Sequence, residues 1–224
     1  MRSDLAGWKV VFDIDDTLYL ERDYVRSGFT AVGAYLGIGD FAAVAWQLFL
    51  DGGRHDTFNR TLEILGMPAG RIAVPDLVSV YRSHAPDIVL LPDAQLTLAA
   101  VTAGGAACAV ITDGPEASQR AKADALRLAD YSSELVFTAA LGEGFGKPHP
   151  LGFERAMQGN RRDHHVYVAD NPHKDFIAPR SLGWATVRIR RPGGLHHDAP
   201  SGNDVDFLID SLATLPAILL EDIL

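Results

Sequence analysis

The sequence predicts an α/β protein: a Rossmann-like three-layer core built on a parallel sheet, with a helical cap domain inserted after the first strand. Two patterns predict it. From about Ala94 onward, short apolar runs alternate with segments of helical periodicity, as in βαβ units whose sheet is covered on both faces. Before that alternation, from about Tyr24 to His84, every periodic segment is helical and no strand pattern interrupts them. The chain therefore divides into an α/β core of residues 1–18 and 91–224 and a helical cap of residues 19–90.

The first strand is the apolar run Val10-Val11-Phe12, preceded by Lys9, and it ends abruptly in Asp13-Ile14-Asp15-Asp16-Thr17-Leu18. On extended backbone, residues two apart share a face, so Asp13 and Asp15 aim at one point beyond the strand's carboxyl end. Open α/β sheets bind ligands there. Two carboxylates this close need a cation between them, or one must keep its proton. The plain alternative is an acidic turn in which Asp16-Thr17 caps a helix.

In the cap, Phe29, Val32, Tyr35 and Leu36 fall at helical spacing, as do Val44, Leu48 and Phe49. Phe58, Leu62 and Leu65 form a third set, closed by Gly66-Met67-Pro68, and Ile72, Leu77, Val80 and Tyr81 a fourth. In the core, a helix over Ala94–Val101 stops at Gly104-Gly105, and a strand over Ala106–Ile111 runs into Thr112-Asp113-Gly114. Pro115, at a favoured first helical position, opens a helix to about Ala129. A short strand at Leu135–Phe137 and a glycine-rich loop at Gly142–Gly146 lead to Lys147-Pro148-His149-Pro150, then a helix to about Met157. A strand over Val166–Ala169 ends in Asp170, a short helix spans Ile177–Leu182, and Ala185–Ile189 is the next strand. Arg190–Asn203 reads as loop, Leu208-Ile209 as a short apolar element, and Leu215, Ile218, Leu219 and Ile223 as the apolar face of a closing helix. Asp13, Thr112 and Asp170 each sit just past a strand, and parallel strands bring such positions to one edge of the sheet.

Composition bounds the function. With 224 residues and 47% hydrophobic content the chain buries a full core. Its 29 acids against 20 bases give a formal charge of -9, which disfavours nucleic acids and acidic membranes as partners. The single cysteine, Cys108, lies in an apolar run and reads as a buried small hydrophobe. No apolar run reaches the length of a membrane span, and the start of the chain, with Arg2 as its one base ahead of Lys9 and no long apolar stretch before Asp13, is expected not to be a secretory signal. The expected location is cytoplasmic; the oligomeric state is left open.

Four motifs in order carry a resemblance to the haloacid dehalogenase superfamily of phosphotransferases: Asp13-Ile14-Asp15-Asp16-Thr17, Thr112 in Val-Ile-Thr-Asp-Gly, Lys147 in Gly-Lys-Pro-His-Pro, and Asp170 with Asp175 in Ala-Asp-Asn-Pro-His-Lys-Asp. Ala169 replaces the family's usual glycine before the aspartate. The helical block resembles the family's cap of the first type. The resemblance implies a magnesium-dependent phosphatase acting on a small phosphorylated metabolite through an aspartyl-phosphate. Asp13 would be the nucleophile, Asp15 the acid and then base, Thr112 a ligand of the phosphoryl group, and Lys147 a fixed positive charge beside it. Mg²⁺ would be held by Asp13, the backbone carbonyl of Asp15, Asp170, and Asp175 directly or through water. Asp15 favours a phosphate ester over a haloacid; a sugar phosphomutase of the same superfamily is the alternative, and a receiver-like signalling module a more distant one. For the substrate, the candidates are Thr112, Asp113, Gly114, Lys147, Arg22 and Arg54, with Tyr19, Tyr24 and His55 near the cap. Arg188, Arg190 and Arg191 are read either as an anion clamp or as salt-bridged surface, and His164-His165 and His196-His197 as loop residues.

Overall fold

The computed structural model describes residues 4–53, 56–67, 70, 72–132, 134–158 and 162–221. Its contacts divide the chain into two compact units, Met1–Glu21 with Val89–Leu224, and Arg22–Ile88.

The larger unit is built on a parallel sheet of six strands: β1 (Trp8–Phe12), β2 (Ala107–Thr112), β3 (Glu134–Phe137), β4 (His164–Ala169), β5 (Ala185–Ile189) and β6 (Phe207–Ile209), in the spatial order β3-β2-β1-β4-β5-β6. Strands β1 and β2 are buried along their whole length, which is why they read as continuous apolar runs rather than alternating ones. Lys9 is the exception inside β1: its buried ammonium pairs with Glu134 on β3 at 2.6 Å. Strand order reverses direction at β1, whose neighbours are β2 on one side and β4 on the other, so the crevice beyond its carboxyl end is the topological switch point.

On one face of the sheet, Val11, Ala109, Ile111, Tyr167 and Ala169 pack with Phe153, Ala156, Phe176, Ala178 and Trp184. These come from α7 (Leu151–Gln158), α8 (Ile177–Ser181) and the segments beside α8. Helix α5 (Pro92–Ala103) packs against β2 and against α9 (Leu215–Glu221). Helix α6 (Glu116–Ala125) follows β2 and ends earlier than the sequence predicts: Arg127 takes a left-handed conformation, and a single 3-10 turn covers Leu128–Asp130. The strand β4 starts two residues earlier than its apolar run, because Trp8 pairs with His164 and Lys9 with His165. His164 and His165 are therefore strand residues, not loop.

The smaller unit contains α2 (Phe41–Leu50), α3 (Thr57–Ile64), α4 (Val74–Ser83) and most of α1 (Glu21–Leu36). Phe29, Val32, Phe41, Ala45, Leu62 and Leu77 form its core; Phe29, Val32, Leu62 and Leu77 are among the positions whose spacing predicts the helices, whereas Phe41 and Ala45 are not. A Cβ at Gly28 would lie 2.4 Å from the Tyr81 ring, so glycine there lets α1 and α4 approach closely. No helix among the described residues is long and apolar enough to cross a membrane.

Candidate active site

Asp13 continues β1 by one residue. Its N–H donates to the carbonyl of Val168 at 2.9 Å, which sets it beside the end of β4, where Asp170 follows Ala169. Asp175 is fixed by the turn after Asp170. Its N–H donates to the carbonyl of Asn171 at 3.2 Å, and its Oδ2 accepts the N–H of Asn171 at 3.0 Å. Asp13, Asp170 and Asp175, all buried, each offer a carboxylate oxygen within 4.8 Å of the others. Burial pushes the Asp170 carboxyl up to about 9, with Asp13 and Asp175 adding to the shift. Burial likewise raises Asp13 to about 7; Asp175 and Asp15 add to it and Lys147 opposes it. Three oxygen donors whose charge is under-compensated are the donor set that suits a hard divalent cation.

Lys147 pairs directly with this cluster: Nζ lies 2.9 Å from Asp13 Oδ1 and 2.8 Å from Asp175 Oδ1. It also donates to the Tyr167 hydroxyl at 3.1 Å. Burial works against its charge, but Asp13, Asp175 and Tyr167 outweigh burial and hold the ammonium well above the ordinary lysine range. Asp113 anchors Lys147 from behind. Its Oδ1 accepts the backbone N–H of Lys147 at 3.1 Å and the Thr138 hydroxyl at 2.7 Å, and its Oδ2 pairs with Lys174 at 2.7 Å.

Asp15 occupies a second pocket of donors. Lys122 Nζ reaches both its oxygens, at 2.7 and 3.0 Å, Gln119 Nε2 donates to Oδ2 at 3.0 Å, and Tyr19 donates to Oδ1. Burial alone would raise this carboxyl, yet Lys122, Tyr19 and Gln119 together hold it below the usual range. Thr112, the last residue of β2, donates its hydroxyl to Gln119 Oε1 at 3.0 Å. Gly114 makes room for that glutamine: its φ is 127°, and a Cβ there would sit 2.8 Å from Gln119 Nε2. Asp16 is structural, accepting the N–H groups of Glu21 at 2.9 Å and Leu195 at 2.7 Å. Glu21 is pushed up to about 7 by burial and by Asp15, with Lys122 opposing.

The core motifs thus converge at the carboxyl edge of one sheet. Arg22 belongs to the helical unit, its guanidinium 5.6 Å from the Trp46 ring, and Tyr24 donates there to the Tyr81 carbonyl at 3.4 Å. Arg54 and His55 lie outside the described residues. Arg188, Arg190 and Arg191 are engaged internally: Arg188 by backbone carbonyls, Arg190 by Asp210 at 3.2 Å, Arg191 by Asp93 at 2.6 Å and the Thr17 carbonyl. His196 meets His173 edge-on, and His197 pairs with Asp198. A cavity of about 770 Å³, lined by Trp8, His164 and Ala185 among others, opens at the opposite edge, where the strands begin, and is not where these motifs meet. Gln119, Lys122 and Tyr167 are the site residues that motif reading misses. The available signal is weak: a Gln and a Lys three residues apart, on one face of a helix that starts just after Thr112.

A parallel α/β sheet with opposed carboxylates and a buried lysine at its switch point defines an enzyme site rather than a binding face. Residues 10–183 match the family described as haloacid dehalogenase-like hydrolase. The chain belongs to that family and is a hydrolase of it. It is 25% identical over 222 residues to glyceraldehyde 3-phosphate phosphatase of Methanocaldococcus jannaschii, covering 94% of this chain and 96% of that protein. It is 32% identical over 152 residues to phosphoserine phosphatase of Thermus thermophilus, covering 67% of this chain and 59% of that one. In fold it is similar to the magnesium-bound putative HAD-hydrolase YfnB of Bacillus subtilis, with a TM-score of 0.66 at 15% identity, over 94% of this chain and 97% of that one.

Proposed function

We propose that this protein is a magnesium-dependent phosphatase that hydrolyses a small phosphate monoester through an aspartyl-phosphate on Asp13. The observation that carries the reading is the pairing of Asp13 with buried Lys147 at 2.9 Å, with a second carboxylate, Asp15, two residues along. The two phosphatases to which the chain is similar support the class of reaction, and their names both point to small phosphorylated metabolites.

In this mechanism the Asp13 carboxylate attacks phosphorus and the ester P–O bond breaks. Asp15 gives its proton to the leaving oxygen, so a neutral alcohol departs. Asp15, now ionised, takes a proton from water, which attacks the acyl phosphate, releases inorganic phosphate and regenerates Asp13. The first half needs Asp15 protonated, a form that the negative charge of an arriving phosphate favours and that Lys122 opposes. Lys147 holds positive charge against Asp13 throughout, and Thr112 offers a hydroxyl for the phosphoryl oxygens. Asp13, Asp170 and Asp175 fit Mg²⁺ by donor type and spacing; bound there, the ion would offset their mutual repulsion and the charge on the transferring group. We further read residues 22–88 as the cap that selects the substrate.

The test is a panel of sugar, nucleoside and small-acid phosphates assayed with Mg²⁺ for released phosphate. Turnover of at least one, absent in Asp13→Asn, is the expected result. Normal turnover by Asp13→Asn rejects the reading.

A further inference from the structure

We infer that Lys122, with Gln119 beside it, is a positioning residue that holds Asp15 for proton transfer to the leaving group. The inference rests on the phosphatase reading and deepens it. Lys122 lies on α6, outside every motif, and its side chain is only 3% exposed, against 21% for Asp15. A buried ammonium is costly unless a carboxylate compensates it, and here Asp15 does so through both oxygens. Gln119, one helical turn earlier, donates to the same carboxylate and accepts from Thr112. One face of α6 therefore fixes Asp15 relative to Thr112.

Each oxygen of Asp15 accepts two donors, and Oδ2 holds its pair more loosely. A carboxylate has about four acceptor sites. Oδ1 takes Tyr19 and the shorter Lys122 contact, at 2.7 Å; Oδ2 takes Gln119 and the longer one, at 3.0 Å. The longer contact is the one that a leaving-group oxygen replaces. Lys122 then stays on Oδ1 and keeps Oδ2 aimed as the P–O bond breaks and the proton passes from Oδ2 to the departing oxygen.

The experiment compares two esters in the presence of Mg²⁺: β-glycerophosphate, whose alkoxide needs a proton, and p-nitrophenyl phosphate, whose phenolate departs without one. For Lys122→Met, kcat on β-glycerophosphate is expected to fall on the order of 10²-fold, and on p-nitrophenyl phosphate at least about tenfold less. Lys122→Arg, which keeps a charge on Oδ1, recovers part of the alkyl-ester rate. If Lys122→Met does not fold, the arginine variant carries the test through its alkyl-to-aryl ratio, expected below wild type. Equal losses on both esters overturn the inference. Asp15→Asn assayed alongside locates such a failure: selective loss there but not at Lys122 rejects the lysine's role alone, and no selectivity in either rejects the acid role of Asp15 as well.

Discussion

Arg188 donates its Nε–H to the backbone carbonyl of Asp170 at 3.1 Å, so the main chain carrying one member of the carboxylate cluster is held by a side chain from the neighbouring strand. The same guanidinium reaches the carbonyls of Ala199 at 2.8 Å and His196 at 2.7 Å and the hydroxyl of Ser201 at 2.7 Å. It is fully buried and spends its planar fork on backbone carbonyls rather than on a bound anion. Replacing it takes a donor from the buried Asp170 carbonyl and from the half-buried carbonyls of His196 and Ala199. Arg188→Leu is therefore expected to lower stability by about 3 kcal/mol, read as a shifted urea midpoint at unchanged slope. A midpoint at the wild-type value would show the loop to be held by other contacts.

Asp93 makes stability depend on pH. Burial pushes its carboxyl up, but the Arg191 hydrogen bond at 2.6 Å, the Leu212 N–H at 2.8 Å and the Ser211 hydroxyl at 2.9 Å outweigh burial and hold it below its ordinary 3.8. A carboxyl depressed in the folded state contributes stability that is complete above its unfolded value and lost as pH falls through its folded one. Asp93→Asn should cost about 1–2 kcal/mol near neutral pH, from weakened hydrogen bonds to Arg191. The gap between wild type and variant should close below about pH 4. Unfolding curves at several pH values check it; a gap that widens in acid would have the wrong sign.

The proposed metal dependence rests on the buried cluster of Asp13, Asp170 and Asp175, whose carboxylate oxygens lie within 4.8 Å of one another, with burial raising the carboxyls of Asp13 and Asp170. Lys147 alone under-compensates them. Chelation of divalent ions is expected to cut phosphate release by more than about 100-fold, and added MgCl₂ to restore it. Chelator-resistant turnover would mean that Lys147 suffices.

The sequence exposes those parts of the site that a strand's end dictates. Asp13, Thr112 and Asp170 stand at the boundary between an apolar run and a turn, and a parallel sheet has no choice but to bring such boundaries to one edge. The helices of the smaller unit are legible for a similar reason, since Phe29, Val32, Leu62 and Leu77 repeat at helical spacing. What depends on distant packing is not legible. Lys122 belongs to no motif, and nothing near it in sequence reveals that Asp15 lies opposite. Arg188 looks like an anion clamp until the loop it holds folds over it. His164 and His165 look like loop because what makes them strand is their pairing with Trp8 and Lys9 on β1, which lies far away in sequence.

Tyr167 offers a way to separate the two tasks of Lys147. A lysine ammonium has three protons to donate, and here three acceptors lie within reach: Asp13, Asp175 and the Tyr167 hydroxyl. The two carboxylates supply charge, whereas the phenol, raised by burial well above its ordinary range and so kept neutral, supplies direction. Tyr167→Phe removes only the directional contact and leaves a buried N–H under-satisfied, at a cost of about 1–2 kcal/mol in stability. Because both carboxylates still hold the ammonium, kcat should fall by no more than about tenfold, whereas Lys147→Met, which removes the charge itself, should cost at least about 10²-fold. Rates and urea midpoints for the pair of variants decide the matter. If Tyr167→Phe is as inactive as Lys147→Met while its midpoint moves little, then the aim of the ammonium, and not its charge, is what the reaction needs from Lys147.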